Sequence, residues 1–303
     1  MAYETIIVER PEPRIARIVM NRPEARNAQN LQMTYDLNAA FDAAVQDDAV
    51  KVVILAGSGP HFSSGHDLRA GTKNAAGVDF PPVGNWGGFA EPNAHGRFAR
   101  EQEIYLQITR RWRNLAKPTI AEVHGKCIAG GLMLAWACDL IVASHDAEFC
   151  DPVVTMGVCG IEWFVHPWEL GPRKAKEFLF TADWIGAAEA HRLGMVNHVV
   201  PGAELEAFGL AMAERIAQKP LFALKLTKQA INAAQDAQGR VSAMQTSFAL
   251  HHLAHAHNML AHGKLVDPTG LMPAIKKHQK PVSSRAEGEG PLGDAKDPSL
   301  RSG

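Results

Sequence analysis

Little in this chain points to a membrane, to a polyanion or to an oxidising compartment. No apolar run reaches bilayer-spanning length, and the opening stretch, MAYETIIVERPEPR, is charged with no apolar segment of the secretory kind. Charge of one sign is missing as well. Lys and Arg total 31 against 32 Asp and Glu, so no net field draws nucleic acid or an anionic surface, and any partner must be argued from a local site. Only four cysteines occur, Cys127, Cys138, Cys150 and Cys159, none at metal-site spacing, and they read as reduced core residues. The expectation is a cytoplasmic protein with no nucleic-acid or membrane partner.

What is present is enough chain, 303 residues, for a full core. Thr5–Glu9 and Ile15–Met20 flank turn residues and predict a β-hairpin. Asn30 precedes apolar residues at helical spacing from Leu31 to Val45, and VKVVILA, 50–56, is a β-branched strand, so strand, helix and strand form a crossover unit. Residues 69–96 are rich in Gly, Pro and Asn with Phe80, Trp86 and Phe89 interleaved, either a pocket wall or a loop against a neighbouring subunit. Helical spacing returns over 98–115, with Arg110, Arg111 and Arg113 read as a solvated face.

The stretch KPTIAEVHGKCIAGGLMLAWACDLIVAS, 117–144, organises the rest: an apolar strand, a turn at Gly125, and the pair Gly130-Gly131 opening an apolar helix. A glycine lets the backbone approach a ligand, and the first N–H groups of a helix lack internal acceptors. Such donors suit an anion or a developing oxyanion, although close helix packing explains the same glycines. Ser64-Gly65-His66-Asp67-Leu68 repeats the design after the strand at 50–56.

Beyond residue 203 the pattern is almost wholly helical, and the tail 281–303 is polar and Gly/Pro-rich, expected to be disordered. We therefore divide the chain into a core at 1–200, a helical oligomerisation region at 201–280 and the tail. His251 and His255 stand one helical turn apart and could share a metal, but no carboxylate or cysteine is spaced nearby in sequence to complete a site, so no metal is expected.

Taken together, NRPEARNAQN (21–30), VVILAGSGPHFSSGHDL, the stretch 117–144 and TADWIGAAEAHRLGMVNHVV (181–200) resemble the crotonase, or enoyl-CoA hydratase/isomerase, superfamily in order and spacing, over about residues 5–262. The resemblance implies an α/β fold, a spiral of ββα units with a helical C-terminal trimerisation region, assembled as a homo-trimer or hexamer. It implies an acyl-CoA thioester as substrate, coenzyme A entering only as part of that substrate and no other cofactor, and a thioester enolate held by backbone N–H groups. By position these are the N–H groups of His66, after Gly65, and of Gly130, beside Gly131. The nucleotide contacts would fall at Arg26, Ala28, Ser64, Asp67 and Leu68.

The family's hydratases carry two glutamates that hold the attacking water, and the matching positions here are Met133 and Val153. Neither side chain transfers a proton, and each such group contributes on the order of a hundredfold or more. Glu162, in the aromatic segment GIEWFVHPWELG, and Asp151 are the nearest replacement acids, with His66 and His166 behind them. The favoured expectation is a lyase or isomerase using one of these as a single proton shuttle. A decarboxylase or thioester hydrolase of the same superfamily, and a CoA-binding protein without turnover, are the alternatives.

Overall fold

The computed structural model describes residues 3–68 and 80–270. The chain begins with β1 (Ile6–Glu12) and β2 (Ile15–Met20), an antiparallel hairpin in which Ile6 faces Met20. α1 (Leu31–Gln46) starts at Asn30, whose side chain accepts the N–H of Met33 at 2.9 Å and so satisfies one orphan donor of the first turn. β3 (Val52–Gly57), apolar and buried, returns parallel to β2 and completes the crossover. α2 (Asn93–Glu101) runs through a π-helical segment (Gln102–Gln107) into α3 (Ile108–Arg113).

Then follow β4 (Thr119–Val123), β5 (Lys126–Ile128), α4 (Gly130–Ala137), β6 (Leu140–Ser144) and β7 (Glu148–Cys150). After them come α5 (His166–Leu170), α6 (Pro172–Thr181), β8 (Ile185–Gly186), α7 (Ala187–Arg192) and β9 (His198–Val200). The chain closes with α8 (Leu205–Ala217), α9 (Leu221–Ala237) and α10 (Arg240–His262).

A six-stranded sheet has the order β1-β2-β3-β4-β6-β9, parallel throughout except for the first pair. A smaller sheet, β5-β7-β8, lies beyond it. α8 packs Leu205, Ala213 and Ala217 against Ile15, Val52, Ile54, Ile120 and Val142. The larger core cluster includes α1, α3 and α4 side chains, and every residue of α4 is buried. A helix apolar all round belongs inside a core, and this one brings the Gly130 turn there with it.

Two expectations need correction. Arg113 is buried rather than solvated: its guanidinium bonds Asp236, Gln235 and the carbonyl of Asn232, fastening α3 to α9. Cys159 is exposed, unlike the core cysteines Cys127 and Cys150. The C-terminal helical pattern is broken at Gly239, whose φ of 87° turns the chain between α9 and α10.

Part of the aromatic loop, 69–79, and the tail expected at 281–303 lie outside the described residues. From residue 80 the loop packs on its own chain. Phe80 stacks on Tyr35 with centroids 4.6 Å apart, and the N–H of Gly84 donates to the buried Glu103 carboxylate at 2.8 Å. Among the described residues no helix is long and apolar enough to cross a membrane.

Candidate active site

β4, β5 and α4 meet the chain after β3 at two interlocked turns. Between β5 and α4, Ala129 holds φ 46° and ψ −109°, a conformation a side chain rarely adopts, and its N–H donates to Cys150 O at 2.9 Å. Such strain costs about 1–3 kcal/mol and persists where surroundings impose it, most often at functional sites. The neighbouring glycines are required by space. A Cβ on Gly131 would lie 2.7 Å from Ser63 O, one on Gly65 2.8 Å from Ile128 O, and one on Gly130 3.2 Å from His66 N and 2.6 Å from its ring.

Residues 26–29 brace the turns from outside. Gln29 Nε2 donates to Gly130 O at 2.8 Å, Ser63 Oγ to Asn27 O at 2.8 Å, and Ser64 N to Arg26 O at 3.0 Å. The backbone N–H groups of His66 and Gly130, brought together here, have no acceptor among the described residues.

Two concavities share the segment 66–68. Arg26, Ala28, Ser64, His66, Asp67 and Leu68 line an open surface groove of about 380 Å³. On the inner side, His66, Tyr105, Val153, Ile161, Glu162 and His251 help enclose a cavity of about 270 Å³. Glu162 is buried there with Oε2 3.1 Å from His66 Nε2 and Oε1 3.6 Å from His251 Nε2, and the Tyr105 ring stacks on His66 at 3.9 Å. Burial alone would raise the Glu162 carboxyl, but the imidazoles of His66 and His251 outweigh it and hold Glu162 below the usual carboxylate range. Glu101, on the same cavity wall, is pushed up to about 8 by burial and then by the Glu162 charge.

The sequence model of the enoyl-CoA hydratase/isomerase family matches residues 10–81 and 89–264. The chain belongs to that family. A putative enoyl-CoA hydratase of Mycobacterium tuberculosis, EchA13, is 48% identical over 259 residues, covering 84% of this chain and 80% of that protein. A probable enoyl-CoA hydratase of Mycobacterium smegmatis has a solved structure that is 45% identical with a TM-score of 0.78, spanning 86% of this chain and 99% of that one. An enoyl-CoA hydratase/isomerase from Xanthobacter autotrophicus Py2 is 31% identical with a TM-score of 0.72, spanning 92% and 100%. The fold is accordingly the crotonase fold, and the chain is an enzyme of the enoyl-CoA hydratase/isomerase family.

Within this family member, the geometry separates the two replacement acids. Glu162 faces the cavity. Asp151 does not line it: fully buried, its carboxylate accepts the N–H groups of Ile161 at 3.1 Å and Val153 at 3.3 Å and sits 2.9 Å from His166 Nε2. Asp151 and His166 thus brace the loop that carries Val153 and Ile161. Met133 is buried within α4 and does not line the cavity, whereas Val153 forms part of its wall. Asp67 lies 3.1 Å from Arg22, an ion pair at the groove's edge.

Sequence reasoning missed Glu101, Tyr105 and Arg97, which face the cavity from α2 and the π-segment. Their recurrence every four residues was a weak signal, because nothing local says which face of that helix meets the site. The pair His251 and His255 was visible, but its carboxylate was not. Glu101 arrives from α2, and the ligand atoms of Glu101, His251 and His255 all lie within 4.8 Å of one another.

Proposed function

We propose that this enzyme forms and quenches the enolate of an acyl-CoA thioester, with the thioester oxygen between the N–H groups of His66 and Gly130 and Glu162 as the single proton shuttle. The supporting observation is the buried Glu162 carboxylate, 3.1 Å from the ring of His66, whose backbone N–H and that of Gly130 have no acceptor among the described residues, while Met133 and Val153 offer no acid. Each oxyanion donor is worth about 3 kcal/mol in the transition state. The acyl chain would fill the inner cavity and the CoA nucleotide the outer groove along Arg26, Ala28, Ser64, Asp67 and Leu68. Gly65 and Gly131 would permit the close backbone approach, and Val153 would pack against the acyl chain. Coenzyme A would enter only as part of the substrate.

With one carboxylate, the chemistry supported best is a 1,3-proton transfer. Glu162 takes a proton from C2 of a 3-enoyl-CoA, and the electron pair enters the thioester to give a dienolate. Return of the proton at C4 leaves the C2–C3 double bond, with no atom gained or lost. Held ionised by the neighbouring imidazoles, Glu162 is present as a base at neutral pH.

Product analysis by mass spectrometry and NMR, with medium-length 3-enoyl- and 2-enoyl-CoA thioesters, tests this. Interconversion at constant mass is expected. A gain of one water would instead make the protein a hydratase with unfamiliar acids. Loss of carbon dioxide from a carboxyacyl-CoA, or release of free CoA, would support the decarboxylase or hydrolase reading, and binding without product a silent CoA-binding protein.

The outer face of the C-terminal helices favours a homo-trimer or a hexamer. Phe222, Leu226 and Ile231 of α9 and Leu250, Leu253 and Leu260 of α10 are exposed, and large apolar side chains left to water on adjoining helices are the kind a neighbouring subunit covers. Its balanced charge fits a cytoplasmic location.

A further inference from the structure

The end of the cavity formed by α2 and α10 has a chemistry that proton transfer by Glu162 does not require. His251 Nδ1 lies 2.7 Å from Gly160 O, and His255 Nδ1 lies 2.7 Å from Leu265 O. A carbonyl oxygen only accepts, so both Nδ1 atoms carry the proton, and Nε2 is the ring atom each histidine has left for a ligand in the cavity. His251 Nε2 is buried without a hydrogen-bond partner among the described residues, its nearest carboxylate oxygen being Glu162 Oε1 at 3.6 Å. Glu101 Oε2 is likewise buried and unpartnered, with His252 Nε2 3.2 Å away but out of line for a hydrogen bond. Two imidazoles fixed through Nδ1 to backbone carbonyls, one turn apart on a helix and facing a carboxylate, have the outer shell by which proteins orient metal-binding histidines.

We propose that Glu101, His251 and His255 form a site for a divalent transition cation of the zinc class, ligated by two Nε2 atoms and one carboxylate oxygen. Nitrogen and oxygen donors with no thiolate suit zinc and its neighbours rather than a soft monovalent ion. The donor atoms lie within 4.8 Å of one another, and ligation at 2.0–2.2 Å needs them about an ångström closer, a shift that side-chain torsions supply. Glu162 stands next to His251 and would add a second negative charge, offsetting the guanidinium groups of Arg97 and Arg100 that line the same cavity. Remaining coordination positions would face the cavity and so be open to water or to an oxygen of the acyl group. The site shares the cavity with the proposed proton shuttle, but cation binding is read without substrate, so the two fail separately.

The test uses the full chain stripped with a chelator and titrated with zinc by calorimetry, with metal content checked by mass spectrometry after desalting. Expected is one zinc per chain retained, with affinity falling at least tenfold in Glu101→Gln and in His255→Asn. His257→Asn and His262→Asn, which alter neighbouring histidines outside the cluster, are expected to bind as the parent does. Cobalt(II) in place of zinc is expected to give a visible absorption band that Glu101→Gln changes. No stoichiometric binding by the parent overturns the proposal. Binding that survives in Glu101→Gln and His255→Asn, or that is lost in His257→Asn, overturns it equally, because the metal would then sit on the histidine-rich surface of α10.

Discussion

At the scale of single residues, the site is defined by places where a side chain cannot fit. Gly130→Ala puts a methyl 2.6 Å from the His66 ring and 3.2 Å from its backbone nitrogen, so the ring must swing away from Glu162. Loss of one aligned donor is expected to lower kcat by about a hundredfold, with the unfolding midpoint moved far less than activity; parallel steady-state kinetics and thermal unfolding check this. A variant with parental kcat would sink the assignment of these donors. These glycines were legible in the sequence because their requirement is local. Glu162 was legible as an acid near the altered positions, but its separation from Asp151 was not. Which carboxylate faces a cavity depends on the backbone N–H groups of Val153 and Ile161 that claim Asp151, and no spacing rule reveals them.

At the scale of elements, buried charge ties helix to helix and strand to strand. Arg113 of α3 reaches Asp236, Gln235 and Asn232 of α9, so Arg113→Ala would strip a half-buried carboxylate of its partner. A loss of about 2–4 kcal/mol is expected in urea unfolding. An unchanged midpoint would mean that α9 is held by other contacts. The sequence showed Arg113 only as one of a cluster on a helix. Its partner lies more than a hundred residues on, and helical spacing alone cannot tell solvent from another helix.

Glu122 of β4 gives a pH signature. Burial lifts its carboxyl from 4.5 to about 7 although Arg17, 3.1 Å away, pulls it down. The folded chain then holds a proton that the unfolded chain releases, so this group's contribution is fully present below pH 4.5 and is lost as pH rises towards 7. Glu122→Gln is therefore expected to gain thermal stability relative to the parent between pH 5 and pH 8. A stability difference that does not vary with pH would contradict the raised value.

At the scale of the whole molecule, the hairpin, the first crossover and a buried parallel strand were readable from turn residues, helical spacing and an apolar β-branched run, whereas the order in which β4, β6 and β9 join the sheet was not. The convergence of α2 and α10 on one cavity was not readable, since it depends on the turn at Gly239 and on how α10 lies across residues 160–162. The exposed apolar residues of α9 and α10 predict self-association. Sedimentation equilibrium is expected to give three or six chains per particle, and Ile231→Asp with Leu253→Asp to lower that number. A monomeric parent at micromolar concentration would remove the oligomer from the proposal.

The measurement that tests the enolate account most directly is exchange of the thioester's α-proton in D₂O, followed by NMR on a saturated or 3-enoyl acyl-CoA. The parent is predicted to incorporate deuterium at C2 well above the uncatalysed rate, and Glu162→Gln, folded and still binding the thioester, to lose that exchange by a hundredfold or more. No exchange by a parent shown to bind the thioester, or full exchange by Glu162→Gln, would contradict the central claim.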